Sequence, residues 1–80
     1  MRLDKFLKVS RLIKRRTVAN EACDNDKIVV NGKIAKASYH VEVGDVIEIS
    51  YGSRSLKVEV LDIASHVLKS DAQNLYKEVK

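Results

Sequence analysis

Residues 1–17 have the sequence MRLDKFLKVSRLIKRRT, which combines a short apolar periodicity with a dense run of cations. Leu3, Phe6 and Leu7 recur at i, i+3 and i+4, so they share one face of a helix. This first helix is expected to end near Ser10. The stretch therefore predicts a short amphipathic helix that packs its apolar face on the rest of the chain.

A second helix is predicted to follow directly. Leu12 and Ile13 are expected to enter the core from the connection, and Thr17 is a favourable N-cap residue. The turn-forming run at residues 24–26, Asp-Asn-Asp, should end this helix. Its apolar face is predicted to consist of Val18, Ala19, Ala22 and Cys23, with Asn20, Glu21 and Asp24 facing solvent.

Beyond the second helix the apolar residues alternate with a period of two, which is typical of strands. Strands are predicted at residues 28–30 and 46–51, and a return strand reaches as far as Ile63. The dipeptide Asn-Gly at 31–32 and the pair Gly-Ser at 52–53 are signals for two-residue hairpin turns. A tight corner is expected at Val43-Gly44-Asp45.

The pattern Ser-x-x-Gln at residues 70–73 matches a capping box and predicts a short C-terminal helix with Leu75 and Val79 one turn apart. The element order predicts an α+β fold with two short N-terminal helices packed on a small, largely antiparallel sheet. We expect a single domain over 1–80. Its core would span 1–51, and 52–80 would supply the second hairpin strand and a C-terminal extension.

Charge is concentrated at the start of the chain. The whole chain has a formal net charge of +4, but residues 1–16 hold seven cations and one anion, 7 − 1 = +6. A concentrated field of one sign attracts a partner of opposite sign and gives sequence-independent affinity for phosphates. The alternative is a solvated helix face that only maintains solubility. The density favours nucleic-acid binding.

The start of the second helix is the centre of the predicted site. Arg15 and Arg16 precede Thr17, where the unpaired amides and the helix dipole favour an anion. Their guanidinium groups can hold phosphates through two parallel hydrogen bonds. Further cations are expected from the first helix and from the hairpin region, namely Arg2, Lys5, Lys33 and Lys36.

The chain resembles the S-four RNA-binding domain family over residues 1 to about 51. The resemblance is carried by Arg2-Leu3-Asp4-Lys5-Phe6-Leu7, by Arg15-Arg16-Thr17, by Val30-Asn31-Gly32-Lys33 and by Val43-Gly44-Asp45-Val46-Ile47. It is similar to stand-alone members of this family that act in ribosome-associated quality control, and to a related fifteen-kilodalton heat-shock protein that associates with ribosomes.

This resemblance implies a function. Such proteins bind a large ribosomal subunit that still holds peptidyl-tRNA after a stalled ribosome has split. They contact large-subunit rRNA and the tRNA and support C-terminal alanine tailing by an RqcH-type tailing factor. The implied functional positions are Arg2, Asp4 and Arg16, and the supporting phosphate contacts are Lys5, Arg11, Lys14 and Arg15.

Asp4 needs its own explanation, because an anion within a basic surface repels phosphate. It could orient Arg2 or Arg16 through an ion pair, or accept a hydrogen bond from a base edge. Alternatively, it forms a plain helix pair with Lys8, four residues along. The sequence leaves these alternatives open.

Two positions depart from the family pattern. Asp26 stands where glycine is frequent, and Ala37 stands where proline is common. Since aspartate tolerates a positive φ, the turn at Asp26 is expected to be kept.

No residue set suggests catalysis, a metal site or a cofactor. Cys23 is expected to be a small core residue, and His40 and His66 lack partners for a site. Tyr39 and Tyr51 either stack on bases or close the sheet edge. A single cysteine and the absence of a signal peptide or membrane-length apolar run favour a cytoplasmic protein without a membrane partner. We also expect a monomer.

Other functions remain open at this point. A general ribosome assembly or recycling factor would show the same basic surface. A small DNA-binding protein could also begin with two short helices, although the Asn-Gly hairpin is not needed there. A protein-interaction adaptor would use the slightly acidic remainder of the chain.

Overall fold

The computed structural model describes residues 1–64 and 69–79. It has the predicted α+β order of two helices followed by an antiparallel sheet, and it adds a C-terminal strand that the sequence did not suggest. The elements are α1 (Leu3–Val9), α2 (Arg16–Asp24), β1 (Ile28–Val30), β2 (Lys33–Ile34), β3 (Val46–Tyr51), β4 (Arg54–Val60), a 3-10 helix (Lys69–Leu75) and β5 (Tyr76–Glu78).

The five strands form one sheet in the order β2-β1-β3-β4-β5, and every neighbouring pair is antiparallel. The central register pairs Ile47 with Val58 and Ile49 with Leu56. Ile47, Ile49 and Val58 are buried on the sheet face that the helices cover. The alternation predicted from the sequence for β3 and β4 is therefore confirmed.

The apolar face of α1 is the centre of the core. Leu3, Phe6 and Leu7 are fully buried and belong to one cluster with the inner face of the sheet. Burial of each such side chain is worth about 1.5–3 kcal/mol. The first amides of α1 are also satisfied, since Leu3 and Asp4 donate to the carbonyls of Tyr39 and Ala37. The helix start is thus fixed against residues 37–40.

The connection between the helices turns sharply at Arg11, which has a φ of 65°. A left-handed residue at this place ends α1 and redirects the chain. Ile13 is buried and Leu12 packs against the core, as predicted. The connection thereby holds the basic segment against the body of the protein.

The predicted start of α2 requires a correction. The helix begins at Arg16 with Arg15 as the extended N-cap residue, and no side chain caps it, so Thr17 is not the N-cap. Val18, predicted to be apolar core, is 47% exposed. The register of the helix is set by the burial of Ala19 and Cys23, which turns Val18 towards solvent.

The first hairpin has the turn predicted from Asn31-Gly32. Val30 pairs with Lys33, and φ is 52° at Asn31 and 84° at Gly32, which is the pattern of a type I′ turn. Asp26 has a φ of 59°, so the expected positive-φ turn is confirmed at that position as well.

Gly44 occupies the predicted corner before β3 with a φ of 95°, and a Cβ there would have no heavy atom within 4 Å. Gly44→Ala should therefore destabilise through backbone strain alone, by about 1–2 kcal/mol. Urea unfolding of the variant measures this loss. Ser53→Ala, at another exposed turn, is the control and should leave stability unchanged; equal stability of both variants would contradict the strain.

The C-terminal helix prediction was wrong beyond Leu75, where the chain forms β5. The Leu75 carbonyl accepts from the Leu61 amide, and the Val79 amide donates to the Lys57 carbonyl, so the helical bond between Leu75 and Val79 cannot form.

β4 ends at Val60 and does not continue to Ile63. His66 lies outside the described residues. Within the described ranges, none of the helices has the length and apolarity that a membrane crossing requires.

Candidate nucleic-acid interface

A buried carboxylate organises the basic end of the molecule. The side chain of Asp4, in the first turn of α1, is 3% exposed. Its Oδ1 accepts from the Lys5 amide at 2.8 Å and from Arg2 Nε at 3.2 Å. Its Oδ2 accepts from Asn20 Nδ2 at 3.3 Å, from Arg16 Nε at 3.4 Å and from a terminal nitrogen of Arg2 at 3.5 Å. One carboxylate therefore joins both helices.

These partners keep Asp4 charged. Burial acts to raise its pKa, but the hydrogen bonds from Arg2, Asn20 and Arg16 and the charge of Arg16 outweigh burial, so the pKa lies below its ordinary value. Lys8 is not among the hydrogen-bonding partners of Asp4. Because the carboxylate is nearly inaccessible, the structure favours its role in orienting arginines over a contact with a base edge.

Both arginines remain available to a ligand. The side chains of Arg2 and Arg16 are 46% and 48% exposed. Arg16 uses only Nε towards Asp4, and its two terminal nitrogens have no hydrogen-bond partner among the described residues. A planar guanidinium held at Nε presents these terminal groups as a fork that fits phosphate oxygens.

The N-terminus of α2 adds to the positive potential beside this pair. It has no side-chain cap and no acidic residue in its first turn. An open depression of about 420 Å³ lies here, lined by Asp4, Arg16, Thr17, Asn20 and Glu21. Thr17 is therefore at the predicted place although it does not cap the helix.

The other predicted cations surround this centre to different degrees. Lys5 is half-buried next to Asp4, and Arg11, Lys14 and Arg15 are exposed on the connection and at the helix start. Across residues 1–64 and 69–79, the carboxylate ion pairs are those of Arg2 and Arg16 with Asp4 and of Lys77 with Glu59. The basic segment is thus not neutralised by carboxylates of the body.

Lys33 and Lys36 line a separate groove of about 650 Å³ together with Ile34 and Tyr39. Segment 36–40 also contacts the start of α1, where the backbones of Arg2 and His40 form an isolated antiparallel β-bridge. The structure therefore brings Arg2, Asp4 and Arg16 into direct contact. It places the two lysines on a groove of their own.

A second carboxylate shapes this groove. Asp45 accepts from Asn31 Nδ2 and from the Tyr39 hydroxyl, both at 3.0 Å, and from the Glu42 amide at 2.9 Å. Burial, and then the hydrogen bond and charge of Asp45, raise the pKa of the Tyr39 phenol. These contacts tie the hairpin turn to the corner before β3 and hold the Tyr39 hydroxyl in place.

Sequence reasoning missed Asn20, which was assigned to the solvent face. It lies four residues after Arg16, so the two side chains share one face of α2. That spacing was the available signal, but only the packing of α1 against α2 reveals that both face Asp4.

Cys23 lies in the core, where burial, followed by the charges of Asp4 and Asp24, raises its pKa to about 11. A buried neutral thiol is not nucleophilic. The Tyr51 hydroxyl donates to the Leu12 carbonyl at 3.2 Å and so links the end of the central strand β3 to the connection between the helices.

A small α+β domain that holds two half-exposed arginines around one buried carboxylate presents a surface suited to phosphate groups. The model of the S4 domain family matches residues 1–47. The chain belongs to this family, which confirms the S-four resemblance seen in the sequence.

Similar proteins cover the whole chain. The RQC P-site tRNA stabilizing factor of Halalkalibacterium halodurans is 52% identical over 80 residues, which are 100% of this chain and 90% of that protein. The factor of the same name from Bacillus subtilis is 48% identical, over 100% of this chain and 93% of its own. The trimeric structure of Vibrio cholerae Heat Shock Protein 15 superimposes with a TM-score of 0.91 at 32% identity, covering 99% of this chain and 81% of that one.

Proposed function

We propose that this protein is a ribosome-associated RNA-binding factor. It binds large subunits that carry peptidyl-tRNA after a stalled ribosome has split, and it contacts both rRNA and tRNA. It supports C-terminal alanine tailing by an RqcH-type factor in the cytoplasm, as a binding protein and not as an enzyme. The names of its similar proteins, which include the words P-site tRNA stabilizing factor, support this proposal.

The observation that carries the proposal is the arrangement around Asp4. Arg2 and Arg16 come from two different elements, yet one buried carboxylate holds both guanidinium groups. Fixed positions reduce the side-chain entropy that binding would otherwise cost. The free fork of Arg16 and the positioned charge of Arg2 therefore suit a folded RNA, whose backbone presents phosphates at defined positions.

Cations beyond this pair extend the surface over the connection between the helices. Arg11, Lys14 and Arg15 have no carboxylate within 4 Å in the described part of the chain. They supply a longer-range attraction that weakens with salt, whereas Arg2 and Arg16 supply the positioned contacts. Together they would make large-subunit binding steeply salt-dependent.

Sedimentation of bacterial extract tests the proposal. The protein should travel with free large subunits, and its share there should rise when stalled translation increases the subunits that carry peptidyl-tRNA. Puromycin, which accepts the nascent chain and leaves a deacylated tRNA free to dissociate, should move the protein towards the top of the gradient. Equal association with subunits that lack tRNA would instead favour general assembly or recycling, and no association would contradict the ribosomal function altogether.

A further inference from the structure

The amide of Asn20 has a fixed orientation. Its Nδ2 donates to Asp4 Oδ2 at 3.3 Å, and a carboxylate only accepts hydrogen bonds, so the amide oxygen must point away from Asp4. The remaining donors on this carboxylate come from Arg2, Arg16 and the Lys5 amide. Asn20 is therefore held as an oriented acceptor on the face of α2.

This acceptor is open to a ligand. Asn20 Oδ1 has no hydrogen-bond partner among the described residues, and no buried side-chain polar atom in those residues is left without one. Oδ1 must consequently be accessible to solvent. Asn20 lines the same depression as Arg16 and Thr17.

The neighbourhood of Asn20 suggests what donates to it. Asn20 Nδ2 and Arg16 Nε both donate to Asp4 Oδ2. The free acceptor Asn20 Oδ1 therefore lies near the free terminal nitrogens of Arg16, which can bind a phosphate. In RNA, a donor is covalently linked to the phosphate within the same nucleotide, namely the ribose 2′-hydroxyl. DNA lacks this group, and it distinguishes the two polymers for proteins.

We propose that Asn20 Oδ1 accepts a hydrogen bond from a ribose 2′-hydroxyl of the RNA whose phosphate is held by Arg16. Asn20 is then a determinant of RNA over DNA. The proposal rests on the RNA-binding function proposed above. Glu21 lines the same depression but is anionic and exposed, so the adjacent phosphate repels it.

A comparison of two RNA hairpins of identical sequence tests the proposal. One carries 2′-hydroxyls, and the other carries 2′-fluoro groups in its stem, which keep the A-form helix but cannot donate. The wild-type chain should bind the hydroxyl hairpin about two- to tenfold more tightly, which corresponds to one net hydrogen bond. Fluorescence anisotropy measures both affinities.

Asn20→Ala should remove this preference. The variant should bind the hydroxyl hairpin only as tightly as it binds the fluoro hairpin. The salt dependence should stay unchanged, since no phosphate contact is lost. Glu21→Gln, in the same depression, is the matched control and should keep the preference.

The outcomes separate this inference from the proposed function. If Asn20→Ala weakens binding to both hairpins equally, Asn20 only positions Arg16 and the 2′-hydroxyl contact is overturned. The same conclusion holds if the preference is lost in Glu21→Gln but kept in Asn20→Ala. If the wild-type chain binds neither hairpin nor large subunits, the proposed function itself fails.

Discussion

Replacing Asp4 by asparagine is expected to lower the free energy of unfolding by about 2 kcal/mol. The carboxylate is 3% exposed and accepts from Arg2, Arg16, Asn20 and the Lys5 amide. Hydrogen bonds to charged groups contribute about 1.5–3 kcal/mol each. The two arginines are half-exposed and regain water when the charge is removed, so the loss stays below that of a fully buried pair.

The pH dependence of stability tests whether the charge of Asp4 is the cause of this loss in unfolding free energy. Since its pKa in the folded state is lowered, its charge contributes stability above the ordinary pKa of 3.8, and this contribution is lost as pH falls through the folded pKa. Urea unfolding between neutral pH and acid should show a smaller difference between wild type and Asp4→Asn at the lowest pH. A difference that is constant over this range would contradict the ionised carboxylate.

Replacing Arg16 by alanine is expected to weaken RNA or large-subunit binding about tenfold while stability changes little. A charge-assisted contact to phosphate is worth about 1.5–3 kcal/mol, and solvent at this half-exposed site reduces that value. Asp4 keeps Arg2, Asn20 and the Lys5 amide, so it is not left unpaired. The slope of log K against log salt should shrink by about one unit.

Two further variants make this prediction specific. Lys57→Ala removes the same charge from an exposed position in β4, next to the buried Val58 and on the other sheet face, so it should bind nearly as wild type. Arg16→Lys keeps the charge but loses the planar fork, so it should give an intermediate affinity. If Lys57→Ala and Arg16→Ala lose the same affinity, net charge and not the positioned arginine determines binding.

Local signals predicted much of this fold. The spacing of Leu3, Phe6 and Leu7 puts their side chains on one face of a helix, whatever that face packs against. The dipeptide Asn31-Gly32 specifies its turn type by itself. The register of β3 and β4 follows because a two-residue turn leaves one antiparallel pairing that buries Ile47 opposite Val58. In each case the information lies within a few neighbouring residues.

Features that depend on distant partners were not predictable in the same way. The strand at Tyr76–Glu78 forms because β4 offers free main-chain groups, whereas the local sequence favours a helix. Asn20 resembles an ordinary surface residue until α1 brings Asp4 to it. Val18 lies in solvent because the burial of Ala19 and Cys23 determines the rotation of α2.

The position of β5 has a practical consequence for anyone who trims the chain. The family match ends at residue 47, within β3, although the antiparallel ladder continues through β4 to residues 76–78. A fragment cut at that boundary would uncover a row of unpaired main-chain donors and acceptors and the core residues that pack against Ile49, Val58 and Val60. Such open edges recruit other chains and promote aggregation. Recombinant work on this domain therefore needs the segment that follows the recognisable motif.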